Sequence, residues 1–294
     1  MKGEIFPSES AQAFLCSQLE GYYSGSERAL MSKWILEHLN VPKNITLRDL
    51  GAKSEILKRM AGELQTHKPI QYVLGEAVFM GHTFFCDARA LIPRPETEEM
   101  TEMAIKELMD LQKEEPVVLD LCTGGGCIAI AIKMAFPNSR VLGLDNSVKA
   151  IELATKNSNY LRADVSFLLG NILLSETSLK IAHELKKWEV EKFDLIISNP
   201  PYITRSESAE MEKRVLDFEP HEALFVEGGD GMQFYKPLIA MASEFLGKGG
   251  ALWVECNQTF SNEVLELAIA QSFIKCRIVK DLSGVGRFVA AIAR

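Results

Sequence analysis

The chain lacks the features that mark a metal staple, a membrane anchor or a general duplex binder. None of its six cysteines (Cys16, Cys86, Cys122, Cys127, Cys256, Cys276) falls in a Cys-x-x-Cys pair, and its five histidines show no His-x-x-x-His spacing. A structural zinc site is therefore not expected, and the cysteines read as free thiols in a reducing cytosol. No run of 18 apolar residues exists: the longest candidate, 121–136, is broken by Lys133 and three glycines. The opening Met1-Lys-Gly-Glu-Ile-Phe-Pro7 has no apolar h-region, so the expected compartment is the cytoplasm. Positive charge is in deficit, with 32 Lys and Arg against 40 Asp and Glu for a net −8, which argues against a protein that coats nucleic acid. The chain has no internal repeat and no low-complexity tract.

What is present is an ordinary globular composition, 47% hydrophobic and 24% charged over 294 residues, enough for one large domain and a small one. The first part reads as helical. Ser24-x-x-Glu27 has the form of a capping box. Met31, Ile35 and Leu39 then recur every fourth position with Trp34 on the same side, and Val41-Pro42 ends the helix. A further helix carries Ile56, Leu57, Met60 and Leu64 and stops before Pro69. Val78 to Cys86 is rich in strand formers around Gly81 and reads as a β-hairpin with Gly81-His82 in its turn, linking two domains. The expected division is a helical domain over 1–75, a hairpin linker over 76–91 and a larger domain over 92–294.

In the larger part, stiff Ile92-Pro93-Arg94-Pro95 precedes a helix over 97–112. Strand and helix then alternate. Strands are expected at 117–121, 141–145, 165–169, 193–197 and 251–255, with two last ones at 274–279 and 288–292; helices are expected at 128–135 and 148–157. Such alternation specifies an α/β fold: a Rossmann-like, mostly parallel seven-stranded sheet, doubly wound, with ligands at the carboxyl ends of its strands.

Two features sit at those ends. Asp120-Leu-Cys-Thr-Gly-Gly-Gly126 follows a strand and opens a helix, a turn whose missing side chains let a ligand approach the backbone. Asp145 closes the next strand about 20 positions on, where a carboxylate can take both hydroxyls of a ribose. Gly124-x-Gly126-x-x-Ala129 also fits the dinucleotide pattern, so these residues alone leave a nicotinamide dehydrogenase open.

The second feature is Asn199-Pro200-Pro201-Tyr202, after the apolar run that ends at Ser198. An amide or aromatic NH₂ is a poor nucleophile because its lone pair is delocalised. Two prolines have no N–H and a fixed φ, so the loop is stiff and its acceptors stay free. The Asn199 side-chain oxygen and the Pro200 carbonyl can hold both hydrogens of one NH₂ and aim its nitrogen, while Tyr202 can stack on the planar group. Positioning then carries much of a transfer from a strong electrophile. A dehydrogenase has no use for this loop.

At these residues the chain resembles the class I S-adenosylmethionine methyltransferases that modify amino nitrogens, and among them the peptide-chain-release-factor glutamine methyltransferases. Ile92-Pro-Arg-Pro-Glu-Thr-Glu98, Glu219-Pro-x-x-Ala-Leu224 and Asp281-Leu-Ser-Gly284 with Arg287 match segments of that family. The resemblance covers nearly the whole chain, most tightly from Gly75 to Leu224. It implies N5-methylation of the glutamine in a release factor's Gly-Gly-Gln motif, with S-adenosyl-L-methionine as methyl donor. It implies Asn199, Pro200, Pro201 and Tyr202 as the catalytic loop. For the cofactor it implies Asp120, Cys122, Thr123, Gly124, Gly125 and Gly126 near the methionine part, Asp145 on the ribose, Asn171 near the adenine, and Asn199. A release factor is the implied partner, with no stable nucleic acid, no membrane and a monomeric enzyme. Cys122 stands where the family carries its first glycine. Cys-Thr-Gly-x-Gly-Cys resembles the sister enzymes that methylate a glutamine of a large-subunit ribosomal protein. That branch remains open here, as do a DNA or RNA amino-methyltransferase and a non-catalytic cofactor-binding protein.

Overall fold

A computed structural model describes residues 10–294, so the reading of Met1–Pro7 lies outside the described residues. These divide into two compact units: the chain up to Glu76 together with Glu212–Phe218, and Ala77–Met211 together with Glu219–Arg294.

The first unit holds helices α1 (Ala11–Gln18), α2 (Gly25–His38), α3 (Lys53–Gln65) and α4 (Ile70–Leu74). The capping box forms: Glu27 N donates to the Ser24 hydroxyl and Ser24 N to the Glu27 carboxylate at 2.9 Å, satisfying donors that a helix start leaves open. Met31, Ile35 and Leu36 of α2 close on Phe14, Leu15, Leu57, Met60 and Leu64, a core of all four helices. Trp34 departs from the expectation. It is 37% exposed and stands with Leu30, one turn back, on a stripe beside the core face, because three positions from Met31 is not a full helical turn. The short helix Lys213–Phe218 also belongs to this unit, although it lies far along the chain.

The second unit is the sheet. The hairpin strands β1 (Glu76–Phe79) and β2 (His82–Phe85) turn at Met80-Gly81, not Gly81-His82. Both turn residues have positive φ, 49° and 75°, as the twist of a two-residue hairpin demands. Phe79 and Phe84 are buried in the second unit's core, so the segment expected as a linker is packed there. Beyond it come α5 (Pro95–Asp110), β3 (Val117–Leu121), α6 (Cys127–Ala135), β4 (Arg140–Asp145), α7 (Val148–Leu161), β5 (Ser166–Leu169), α8 (Glu176–Lys187) and β6 (Phe193–Ser198). After Lys213–Phe218, which is α9 in chain order, follow α10 (His221–Leu224), α11 (Tyr235–Phe245), β7 (Leu246–Glu255), α12 (Ser261–Ala270), β8 (Ile274–Lys280) and β9 (Gly286–Ile292).

The seven strands lie in the order β5-β4-β3-β6-β7-β9-β8. All pair in parallel except β9, which runs antiparallel to both β7 and β8. Alternate side chains of each strand feed opposite faces. Leu119, Leu121, Ile196, Leu252 and Val254 join α8, α11 and α12 on one side. Val118, Leu195, Ile197, Ala251 and Trp253 join α5 and α6 on the other. Burial on both faces explains why β3 and β6 read as continuous apolar runs. A Leu119→Ala change would cost about 2–5 kcal/mol in such packing.

The chain leaves β3 toward β4 on one side and β6 toward β7 on the other, so the order reverses between β3 and β6. Such a switch point opens a crevice at the strands' carboxyl ends. There the Ser198 hydroxyl donates to the Leu121 carbonyl at 2.7 Å, tying the ends of β6 and β3 together.

Candidate active site

A cleft lies over this switch point, within the second unit. Of the residues singled out in the sequence, Cys122, Thr123, Gly124, Gly125, Asp145, Asn171, Asn199 and Pro201 line it. Asp120, Gly126, Pro200 and Tyr202 are not among its lining residues; Asp120 and Gly126 brace the glycine turn, and Pro200 and Tyr202 flank the lining Pro201 in the loop after β6.

The β3–α6 turn is held by the backbone. Thr123 N donates to the Leu144 carbonyl, and Gly124 N donates to Asp145 Oδ2 at 2.8 Å, so the turn leans on the end of β4. Gly124 and Gly126 have φ of 54° and 82°; at Gly126 a Cβ would also sit 3.0 Å from the Cβ of Ala154, so a side chain there would be strained in backbone and crowded by its neighbour. Gly126 is thus a packing glycine. Cys122 also takes a left-handed φ of 62°, so the turn keeps its path without glycine there, at a strain that glycine would not carry. Asp120 is fully buried. Its Oδ2 accepts from the Thr123 hydroxyl at 2.5 Å and from Ala129 N, while Oδ1 has no protein partner among the described residues. Burial pushes its carboxyl up to about 7 despite those hydrogen bonds. Asp120 braces the turn from below.

Asp145 closes β4, and its Oδ1 accepts from Ser147 N at 2.9 Å. Ser147, not Asp145, caps α7, which leaves the carboxylate facing the cleft. Burial raises its pKa; the backbone donors at Ser147 and Gly124 oppose that. Each carboxylate oxygen has a further lone pair, so a vicinal diol can be taken by both. Asn171 follows β5 and forms a local turn by accepting from Leu173 N, beside apolar Ile172 and Phe234. The set offers a carboxylate for a diol, apolar surface with an amide for a planar base, and open glycine backbone for an amino-acid-like group.

Asn199 emerges from β6 with its Nδ2 donating to the Thr97 hydroxyl at 3.0 Å. Thr97 lies in the first turn of α5 and donates in turn to Glu255 Oε2 at 2.7 Å. The Tyr202 phenol donates to Glu255 Oε1 at 3.2 Å. Tyr202 thus presents its ring to the core and its hydroxyl to a buried carboxylate, where the sequence suggested stacking on substrate. Burial pushes Glu255 up to about 7, and burial again, with Glu255 beside it, raises the Tyr202 phenol.

Sequence reasoning missed several of these residues. Thr97 lies inside the Pro-Arg-Pro-Glu-Thr-Glu segment, and Glu255 is a carboxylate at the carboxyl end of an apolar strand, a place where charge signals function. Arg94 lines the cleft and pairs with Glu219 Oε1 at 2.6 Å, while Glu219 Oε2 accepts from Ile92 N. Two segments of the family resemblance are therefore joined by one buried carboxylate, and Arg94 is a brace within the cleft wall. Asn157 bridges the hairpin and the glycine turn, accepting from Phe85 N and donating to the Phe85 and Gly125 carbonyls.

A seven-stranded sheet with one reversed strand, a glycine turn after its first central strand and a stiff Asn-Pro-Pro-Tyr loop after the next, both at one cleft, define a class I S-adenosylmethionine-dependent methyltransferase. The family model for the methyltransferase small domain matches residues 99–230. A release factor glutamine methyltransferase of Flavobacterium psychrophilum is 40% identical over 228 residues, 77% of this chain and 76% of the relative. Those of Bacteroides thetaiotaomicron and Leptospira interrogans are 35% and 40% identical, over 82% of this chain and 82% of the relative, and 77% and 76%. The chain belongs to the release factor glutamine methyltransferase family. Among the described residues no helix is long and apolar enough to cross a membrane.

Proposed function

We propose that the protein transfers a methyl group from S-adenosyl-L-methionine to the side-chain N5 of the glutamine in the Gly-Gly-Gln motif of a peptide chain release factor, as a monomer in the cytoplasm without a stable nucleic-acid partner. The observation that carries this reading is the Asn199 amide at the carboxyl end of β6, its nitrogen engaged by Thr97 and its residue lining the same cleft as Asp145 and the glycine turn. Asp145 would hold the cofactor ribose, Asn171 would lie near the adenine, and Cys122, Thr123, Gly124 and Gly125 would meet the methionine part, with Asp120 and Gly126 supporting that turn. The cofactor would supply a methyl group already activated as a sulfonium: as the amide nitrogen bonds to it the S–CH₃ bond breaks, S-adenosyl-L-homocysteine leaves, and one amide hydrogen is lost as a proton. The chain's own residues bind the cofactor, hold the glutamine amide and exclude water. Asn199 Oδ1 and the Pro200 carbonyl accept the two amide hydrogens; Pro201 keeps the loop rigid, and Tyr202 anchors its far end. Reduced motion of a weak nucleophile toward an activated methyl is where the rate comes from.

The curated relatives' names support a release factor over a ribosomal protein as substrate. Cys122 does not weigh against it, since it follows the left-handed path a glycine would take. We propose that the helical unit recognises the release factor, a reading supported by Tyr22, Leu30 and Trp34 exposed on that unit. The test is transfer of isotopically labelled methyl from S-adenosylmethionine to purified release factor and, separately, to large-subunit ribosomal proteins. Label on the release factor supports the reading; label on a ribosomal protein alone moves the assignment to the sister branch.

A further inference from the structure

We propose that Thr97 and Glu255 are positioning residues that set which way round the Asn199 amide stands, so that its oxygen and not its nitrogen meets the substrate NH₂. The inference rests on the proposed role of Asn199 and goes a step behind it. Asparagine presents an acceptor on one side and a donor on the other, and the two orientations have nearly the same shape. Only one serves. An incoming glutamine amide brings two hydrogens, and a flipped Asn199 would meet them with two more.

A one-way chain of hydrogen bonds decides the orientation. An ionised Glu255 carboxylate can only accept. Thr97 has a single hydroxyl hydrogen and gives it to Glu255 Oε2 at 2.7 Å. What Thr97 then offers Asn199 is a lone pair, so Asn199 must turn its Nδ2 toward it, at 3.0 Å. The remaining amide atom, Oδ1, is left for a donor. Both groups are shielded from bulk solvent, Thr97 at 6% exposed on the border of the cleft and Glu255 at 1% behind it, which favours this order over exchange with water.

The fold makes the chain of bonds reproducible. Ser198 pairs with Val254 across the parallel β6–β7 ladder, so the residues that follow, Asn199 just past β6 and Glu255 at the end of β7, stand side by side at the carboxyl end of the sheet. Pro95 starts α5, and Thr97 stands two residues on, in the first turn. The same Glu255 also receives the Tyr202 phenol on its other oxygen. One carboxylate therefore holds both ends of Asn199-Pro200-Pro201-Tyr202. Glu255 does not line the cleft and touches no reacting atom, which separates it from a catalytic acid or base.

The test compares Thr97→Val, which keeps the shape and removes the hydroxyl, with Thr97→Ser, which keeps the hydroxyl, in the full-length enzyme acting on release factor. Asn199→Ala serves as reference. Turnover at saturating cofactor, KM for release factor, cofactor Kd and thermal midpoint are read for each. Thr97→Val should lose about tenfold or more in turnover, the value of one orienting hydrogen bond, with cofactor Kd within about twofold of wild type. Thr97→Ser should recover most of that loss. Glu255→Gln should also lower turnover, because its amide can donate to Thr97 and free the hydroxyl hydrogen for the wrong face of Asn199. Wild-type turnover in Thr97→Val, or equal losses in Val and Ser variants that follow the thermal midpoint, would overturn the proposal. Should the Thr97→Val variant fail to fold, undiminished turnover in Glu255→Gln overturns it instead. Full activity in Asn199→Ala would sink the underlying reading. An inactive Asn199→Ala beside a fully active Thr97→Val sinks the relay alone.

Discussion

The two halves of the cleft are built differently. Around β3 and β4 the wall is largely backbone: Gly124 N reaches Asp145 across 21 positions, Ser147 N reaches it across two, and one long-range side chain, Asn157, ties the turn to the hairpin. Around β6 and β7 the wall is side chain, held by bonds between residues 102, 158 and 53 positions apart in the links Asn199–Thr97, Thr97–Glu255 and Tyr202–Glu255. The difference teaches a division of labour. A backbone cradle suits a cofactor that is the same in every turnover. A side-chain relay suits the choice of one nitrogen and its exact facing toward the donor.

If that division is right, substitutions in the two halves should fail in different ways. The largest effect is expected at Asn199→Ala, a loss of about a hundredfold or more in transfer with cofactor affinity preserved. Turnover measured beside calorimetric cofactor binding checks it, and a parallel loss of binding would erase the distinction. Next, Asp145→Ala should raise the cofactor Kd about ten- to a hundredfold, as expected when hydrogen bonds to a charged group are lost, while turnover at saturation falls far less. An equal collapse of saturated turnover would break the comparison from the other side.

A smaller effect concerns pH and touches only the relay half. Glu255 is faced by Arg287, Glu96, Tyr202, Tyr235 and Cys256, and burial pushes it up to about 7. Its protonated form can donate to Thr97 and disorder the relay, so turnover should fall on the acid side with a midpoint near pH 7. Glu255→Gln should lack that limb. Stability runs the opposite way. A carboxyl raised on folding contributes stability that is fully present below its unfolded pKa of about 4.3 and is lost as pH rises through about 7. Chemical denaturation between pH 4.5 and 7.5 should therefore show a flatter profile in Glu255→Gln, with the other burial-raised carboxyls, Asp120 near 7 and Asp145, contributing to the slope that remains. The smallest effect is expected at Cys122→Gly. Turnover and cofactor affinity should stay within about twofold of wild type, because the backbone already takes a glycine-like φ. A larger change would mean that the Cys122 thiol itself contributes to the cradle.

The same contrast explains what could be read in advance. The five inner strands of the large sheet stood out as apolar runs, since burial on both faces writes itself into neighbouring residues, while the edge strands β5 and β8, none of whose residues is fully buried, were read from their strand-forming residues. The capping box at Ser24 and Glu27 was equally local. So was the backbone half of the cleft, where a glycine turn and an acidic residue about 20 positions on form a spacing motif. The hairpin turn was displaced by one residue because Met80 accepts a positive φ that its residue type does not advertise. Thr97 and Glu255 each carried a local mark, a place in the Pro-Arg-Pro-Glu-Thr-Glu segment and a carboxylate at a strand end, but nothing local joined them to each other or to Asn199. Their roles arise only when strand order sets β7 beside β6 and α5 across the end of both. The membership of Lys213–Phe218 in the helical unit was hidden for the same reason, since nothing near it in the chain announces the contact.

The most direct test of the whole account is tandem mass spectrometry of release factor treated with the enzyme and S-adenosylmethionine. One added methyl is expected, localised to the side-chain nitrogen of the glutamine in the Gly-Gly-Gln motif and absent when Asn199→Ala is used. A methyl on any other residue, or an unmodified Gly-Gly-Gln peptide beside an active enzyme, would contradict it.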